Sequence, residues 1–488
     1  MSDFYLILVV ILGLLAIADL VVGVSNDAVN FLNSAIGSKV VSFKTLMIIA
    51  SLGVAFGAIS SSGMMEVARK GIFNPEMFVF SEIMIIFMAV MITDILLLDV
   101  FNSYGLPTST TVSIVFELLG AAVVISLIKL SALDLSFVEL GDYINTSKAT
   151  QIIFGIFFSV IVAFSIGALI QFISRIILSF KFEEKAKWMG SLFGGIALTS
   201  IFYFIVIKGL KGTPYSENQY DILGGLSISN FIDINLTMIV LLSLLILTIL
   251  SYLFNSVFKL NIYTLIICVG TFALALAFAG NDLVNFIGVP IAGYESFLAW
   301  SASGVSAESF TMEILSEKVS APTFILLGAG IIMVLTLWTS SKAKSVIKTS
   351  IDLSRQEETI ERFEPNFLSR FLVRTGSLFV ENFSKITPKP ILDFVDSQYI
   401  KPKINTLILR KDRPAFDKIR ASVNLVVAAI LISVATSYKL PLSTTYVTFM
   451  VAMGTSLADK AWGSESAVYR VAGVCLLYTS DAADESLC

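Results

Sequence analysis

The chain contains no histidine among its 488 residues. That excludes Ser-His-Asp catalysis, histidine haem ligation and every His-based metal site. Cysteine is nearly absent too. Cys268, Cys475 and Cys488 are too few and too scattered for a disulfide framework or a metal cluster. Charge is scarce: Asp, Glu, Lys and Arg make up 14%, and the net charge of −4 offers nucleic acid no basic surface. With 11 prolines, the composition does not resemble a disordered chain. What dominates is apolar. Hydrophobic residues reach 56% and mean hydropathy is +0.86. So few charges cannot cover a soluble surface of this size, so the reading is an all-α polytopic membrane protein.

Apolar runs occupy Phe4–Val22, Ser42–Ile59, Phe78–Leu98, Thr111–Lys129, Thr150–Phe172, Lys187–Ile207, Ile232–Phe254, Asn261–Ala279 and Ala321–Thr339, with Ser422–Thr436 and Thr445–Leu457 after a polar stretch. The longer ones suit a hydrocarbon core of about 30 Å. The first run has no basic start and no small-residue cleavage site, so it reads as a retained span. Only Asp3 precedes it, while Lys39 and Lys44 follow, which places the N-terminus outside. Residues 340–420 then fall in the cytoplasm, and they hold 16 of the 33 Lys and Arg. The loop with Arg175, Lys181, Lys185 and Lys187 falls inside. The loop with Glu295, Glu308, Glu313 and Glu317 falls outside. Arg69 and Lys70 disagree, so they snorkel or lie in a re-entrant segment. Ser345–Phe363 alternates apolar and charged residues at helical spacing, predicting amphipathic helices on the membrane or on the protein body.

Two strings recur in order. Ser25-Asn26-Asp27-Ala28-Val29-Asn30-Phe31 returns as Gly280-Asn281-Asp282-Leu283-Val284-Asn285-Phe286, and Ser103-Tyr104-Gly105-Leu106-Pro107-Thr108-Ser109-Thr110-Thr111 returns as Ser437-Tyr438-Lys439-Leu440-Pro441-Leu442-Ser443-Thr444-Thr445. The first offset is 281 − 26 = 255 residues and the second 437 − 103 = 334, so the polar stretch is an insertion of about their difference. Seven apolar runs separate Asn26 from Asn281. An odd number puts the copies on opposite faces. The expected architecture is therefore two inverted-topology repeats with broken or re-entrant helices and a site near the midplane. The expected division is 1–210 for the first repeat and following spans, 211–339 for the start of the second, 340–420 for the cytoplasmic insertion and 421–474 for the truncated remainder. Residues 475–488 are expected to be a non-native tail, the alternative being a genuine polar tail: Cys475–Glu485 reads like a translated sequencing adapter, and a dozen apolar residues followed by three acids do not span.

Each string has its own chemistry. Proline fits a helix's first turn. Ser109, Thr110, Thr111 and Ser443, Thr444, Thr445 then place hydroxyls at a helix N-terminus, where unpaired N–H groups and partial positive charge favour an oxyanion. The alternative is capping alone. Asp27 and Asp282, with Asn26, Asn281, Asn30 and Asn285, form an oxygen-rich set suited to a small hard cation such as Na+. Helix capping is their alternative role. No repeated Lys or Arg neutralises an anion, so a bound cation would do so, which is the physical basis of symport. Hydrogen phosphate can donate its proton to a carboxylate. Sulfate has no such proton at neutral pH and is repelled.

These paired strings resemble the duplicated signature of the inorganic phosphate transporter (PiT) family, over most of residues 1–470, and Arg69-Lys70-Gly71-Ile72 resembles a further family segment. The resemblance implies phosphate uptake by sodium or proton symport in the cell membrane. It assigns phosphate to Asn26, Asn281 and the two Ser-Thr-Thr triplets, and coupling to Asp27, Asp282, Asn30 and Asn285. It implies no cofactor and no enzymatic activity, and it is compatible with a homo-oligomer. The sequence departs from the family in lacking its histidine after Ser-Thr-Thr, where Val112 and Tyr446 stand. It also lacks a glutamate in the run after the first motif, Glu66 lying beyond it. Asp19, Glu82, Asp94, Asp99 and Glu117 lie in or beside apolar runs without repeating, either as ion-pathway groups or as paired interior groups. Other readings are a sulfate transporter on the same scaffold, a passive channel, and a membrane aspartyl protease using Asp27 and Asp282, whose Gly-x-Gly-Asp string is missing.

Overall fold

The computed structural model describes residues 2–60, 72–185, 187–206, 218–316, 322–356, 385–401, 413–437, 442–461 and 467–472, with isolated positions at 216 and between 367 and 378. Glu66, Arg69, Lys70, Tyr438–Pro441 and the suspected tail lie outside the described residues.

Every apolar run becomes a helix. In chain order these are α1 (Ser2–Asp27), α2 (Val29–Ser38), α3 (Phe43–Ser60), α4 (Phe80–Tyr104), α5 (Thr110–Ala132), α6 (Thr146–Leu178), α7 (Lys187–Ile205), α8 (Ile228–Ser256), α9 (Ile262–Ser303), α10 (Thr323–Thr339), α11 (Ser341–Ser354), α12 (Lys389–Gln398), α13 (Lys418–Ser437) and α14 (Thr444–Ala458). Among the described residues 8 helices are long and apolar enough to cross a bilayer, or 9 if the bent α10–α11 pair is one span. The protein is thus an all-α polytopic membrane protein; its sheet is a single two-stranded ribbon, Gln219–Tyr220 against Leu226–Ser227, among the described residues.

Between α1 and α2 the chain passes through Ala28 with helical φ and ψ of −53° and −26°, and the bonds Ala28 N to Val24 O and Leu32 N to Ala28 O carry the two helices on as one segment. The α10–α11 break turns the chain by 69°. The second Asn-Asp string marks no break: Asn281 and Asp282 sit inside the 42-residue α9. Their expected place at a helix end is corrected, because the glycine at 280 is tolerated in a helix supported on several sides.

Helices in lipid gain little from hydrophobic burial against each other, so close backbone approach matters. Gly53 and Gly57 lie one turn apart on α3 and face α9. A Cβ at Gly53 would sit 2.5 Å from Phe272 O and 2.8 Å from the Ala275 methyl, and one at Gly57 would collide with Leu276 O. In contrast, α8 leaves Leu241, Leu245 and Ile249 exposed, a face suited to lipid.

A second tie joins the far ends of four helices. The fully buried Arg175 of α6 bonds Asp459 beyond α14 at 2.7 Å and Asp417 before α13 at 2.8 Å. Arg420 of α13 reaches Asp459 at 3.1 Å and donates to Ser354 O at 2.6 Å. Gln356 donates to Asp459 O at 3.3 Å. Buried guanidinium groups survive only when paired in this way. The network holds α11, the first helix of the polar stretch, against the body. Ala343, Val346, Ile347, Ser350 and Ile351 form its buried face, as its amphipathic spacing predicts.

Overpacking a close helix crossing costs roughly 1–3 kcal/mol. Gly57→Leu is expected to lower the midpoint of thermal unfolding in detergent by several degrees. Gly13→Leu, where no described atom lies within 4 Å of the new Cβ, is expected to leave it unchanged.

Candidate functional site

The site begins where α1 ends. Asp27 is fully buried, and its neighbour Asn26 spends its side chain on structure. Asn26 Nδ2 donates to Asn102 Oδ1 at 2.9 Å and to Leu106 O at 3.1 Å, and its Oδ1 accepts from Thr108 N at 2.8 Å. Asn102 Nδ2 donates in turn to Val22 O at 2.8 Å. These bonds pin the turn after α4, where Gly105 takes a left-handed φ of 65° that other residues adopt at a cost. The pinned segment delivers the first turn of α5 to Asp27. Ser109 caps α5 by accepting from Val112 N, and Ser443 caps α14 by accepting from Tyr446 N. For these two serines the capping role foreseen as the alternative is present.

The threonines cross between the repeats. Thr110 donates to Asp27 Oδ2 at 2.9 Å, and Thr445 of the other repeat donates to Asp27 Oδ1 at 3.0 Å. Thr444 donates to Asp282 Oδ2 at 2.8 Å, and Thr111 of the other repeat approaches Asp282 Oδ1 at 3.4 Å. The asparagines follow the same rule. Asn30 Nδ2 donates to Thr445 Oγ1 at 2.9 Å, and Asn285 Nδ2 donates to Thr111 Oγ1 at 3.0 Å. The threonine–aspartate and asparagine–threonine bonds of one copy thus have their counterparts in the other. In both helices the first threonine serves its own repeat's aspartate and the second serves the partner repeat's. Neither aspartate is an N-cap: Asp27 ends α1 and Asp282 lies within α9. Asn281 sits beside Asp282, half-buried.

Two consequences are electrostatic. Asp27 and the 2% exposed Asp282 lie at the N-termini of α5 and α14, whose partial positive charge stabilises carboxylates. Asp282, Asp94 and Asp19, all acidic, are charged neighbours of Asp27. Among the described residues no group of three or more Asp, Glu or Cys side chains could hold a metal ion.

The isolated acids divide. Glu82 pairs with Lys129 at 3.1 Å and caps α4 through Val79 N, and Asp99 pairs with Lys342 at 2.5 Å, so both have structural partners. The other three gather. Ser113 Oγ lies 2.6 Å from Asp94 Oδ1 and 2.8 Å from Glu117 Oε1, and its single proton can go to only one of them. The buried Asp19 has Asp94, Glu117 and Asp27 as its charged neighbours. Their convergence was not foreseen from the sequence, nor were Asn102 and Thr448, which donates to Asn30 Oδ1 at 3.2 Å. Positions 436 and 114, their counterparts by the repeat offset, are Thr and Ile, so no repeat flags them.

The model of the phosphate transporter family matches residues 23–350. A protein described as a phosphate permease of Thermococcus kodakarensis is 26% identical over 320 residues, 63% of this chain and 68% of that protein. The solved structure of a sodium-dependent phosphate transporter superposes with a TM-score of 0.61 at 17% identity, over 98% of this chain and 97% of that one. At that identity the likeness is one of fold.

The crossed bonds make a specific prediction. Thr445→Val removes a donor from Asp27 and an acceptor from Asn30, and leaving buried polar groups unpaired costs roughly 1–3 kcal/mol. Thermal unfolding of Thr445→Val, Asp27→Asn and the double variant is expected to be non-additive, because the two residues share one bond. Thr111→Val with Asp282→Asn is expected to behave alike.

Proposed function

The chain belongs to the phosphate transporter family, and we propose that it imports inorganic phosphate across the cytoplasmic membrane by cation symport. The observation that carries this reading is the crossed cluster of Asp27, Asp282 and four threonines. Two buried carboxylates repel a bare anion, so phosphate enters with neutralising cations or by donating its own proton to a carboxylate. The N–H groups of Thr110, Thr111, Thr444 and Thr445, left after Ser109 and Ser443 take those of Val112 and Tyr446, are the donors for its oxygens. The threonine hydroxyls exchange between carboxylate and phosphate. Ser109 and Ser443 keep the two helix starts in place. Asn26 positions the turn before α5, and Asn281 is assigned the matching role toward phosphate in the second repeat.

Sodium is the preferred coupling ion. The Asp27 and Asp282 carboxylates and the threonine hydroxyls supply oxygens of the kind a hard monovalent cation takes, with Asn30 and Asn285 positioning Thr445 and Thr111. The fold-level neighbour is described as sodium-dependent. The convergence of Asp19, Asp94 and Glu117 next to Asp27 favours a second reading, proton coupling. The paired bonds support two repeats of inverted topology, with the site on their interface. The proposed orientation keeps the N-terminus outside and residues 340–420 in the cytoplasm. Transport of sulfate on the same scaffold is disfavoured by the aspartates.

Uptake of phosphate into proteoliposomes, with sodium and proton gradients imposed separately, tests the proposal. Accumulation is expected with the sodium gradient, reduced at least about tenfold in Asp27→Asn and in Asp282→Asn, and not competed by sulfate. Uptake that ignores both gradients or survives both substitutions would exclude symport at this site.

A further inference from the structure

One apolar face lies outside the spanning helices. The helix α12, in the polar stretch, has no buried residue, although it carries Ile391, Leu392, Phe394 and Val395. Leu392, Val395 and Gln398, three residues apart, are half-buried and turn toward the body. Ile391 and Phe394 share one flank of that stripe and are each 53% exposed. Asp393 and Asp396 lie on the opposite side of the helix and are exposed. Ile386 before α12 and Ile400 after it are exposed as well. Exposed apolar side chains gathered in this way mark a surface that something covers.

The helix is fixed at a definite level. Lys185 Nζ donates to Gln398 Oε1 at 3.2 Å, and Asp396 pairs with Lys460 at 2.9 Å. The buried ring of Tyr399 packs against Phe172 and Phe180, with centroids 6.4 and 6.3 Å away. Phe172 belongs to the last turns of α6, where Phe172, Ile173 and Ile177 remain exposed as a lipid-facing surface. Beyond Ile177 the chain turns polar, with Lys181, Glu183, Glu184 and Lys185. That change from apolar to charged marks the headgroup level, and the exposed flank of α12 stands beside it. Its surroundings are basic. Lys389 and Lys401 are exposed next to it, and residues 340–420 hold 16 Lys and Arg against 10 Asp and Glu.

We propose that this flank of α12, with Lys389 and Lys401, is a docking surface for anionic phospholipid. The acyl chains take Ile391 and Phe394, and the headgroup phosphates meet the lysines. A neutral lipid would satisfy the apolar side chains but offer the lysines no net charge. A soluble partner would have to displace the bilayer that covers α6 beside the helix. The orientation proposed above puts this face on the cytoplasmic leaflet, where the surface potential is negative. Lipid binding fastens the polar stretch to the membrane next to the arginine network. Lys460, the chain neighbour of Asp459, lies over the Tyr399 ring at 4.8 Å, and the Phe180 ring centre lies 3.7 Å from the Arg175 guanidinium. None of this depends on which cation is coupled to transport.

The test is made on the full chain in phosphatidylcholine vesicles containing increasing amounts of phosphatidylglycerol. Cys268, Cys475 and Cys488 are first replaced by serine. A nitroxide label is then attached in turn after Ile391→Cys, Phe394→Cys and Asp393→Cys. Its collisions with oxygen, which concentrates in lipid, are compared with those with a water-soluble nickel chelate. With phosphatidylglycerol present, the labels at 391 and 394 are expected to favour oxygen and the label at 393 to favour nickel. In phosphatidylcholine alone that contrast is expected to shrink. Lys389→Gln and Lys401→Gln are each expected to raise the phosphatidylglycerol content needed for half the contrast, by up to about fivefold. Equal nickel access at all three positions would put the flank in water. Dipolar broadening between labels would put a second copy of the chain against it. Either result overturns the proposal, and so does a contrast that ignores phosphatidylglycerol, because the lysines would then read no headgroup charge.

Discussion

Two carboxylates lie buried in a protein that spans a lipid bilayer, and each must be held by groups that other helices bring to it. Asp27 and Asp282 meet this demand through four threonine hydroxyls, two from each of two helix starts. An unpaired ionised group at such depth is costly. The first turns of α5 and α14 answer that cost twice, with hydroxyl donors and with the positive ends of their dipoles. Because each helix start serves both aspartates, the two halves of the chain cannot separate without leaving both carboxylates short of a donor.

Other features follow from keeping those helix starts in place. Serine caps and an asparagine clamp position the first of them. Asn26 is the clearest example: its amide pins the turn that carries Thr110 and Thr111, so its effect on the site passes through the backbone. The close contact of Gly53 and Gly57 with α9 sets the scaffold that carries Asp282. The buried arginine network ties the opposite ends of α6, α13 and α14 to α11. The arginine tie thus lies at one end of these helices and the aspartate cluster at the other. They also explain why the polar insertion is partly integral to the body.

Much of this was legible in the sequence. The apolar runs became helices because a bilayer leaves a long apolar segment few other ways to satisfy its backbone. The repeated strings pointed to the aspartates, asparagines and threonines that the fold brings together. The repeat was informative because it doubles a signal that is ambiguous once: a lone Asn-Asp reads equally as a cap. Legibility ended where a residue's role depends on a neighbour distant in sequence. Asn102 and Thr448 have no repeat partner and are ordinary polar residues in apolar runs. Asp19, Asp94 and Glu117 converge only through the packing of α1, α4 and α5. The continuous course of α9 was hidden because Gly280 and Asn281 look like a helix end, whereas tertiary support carries the helix through them.

The central claim is that one crossed cluster binds the anion and its cation together. Calorimetric titration of phosphate into the purified protein, at a series of sodium concentrations balanced with choline, tests it most directly. If the two ligands share the site, sodium raises phosphate affinity, and phosphate raises sodium affinity by the same factor, as linkage requires. Phosphate affinity that stays constant across the sodium series, and across a matching pH series, would show that the buried aspartates hold no coupling cation.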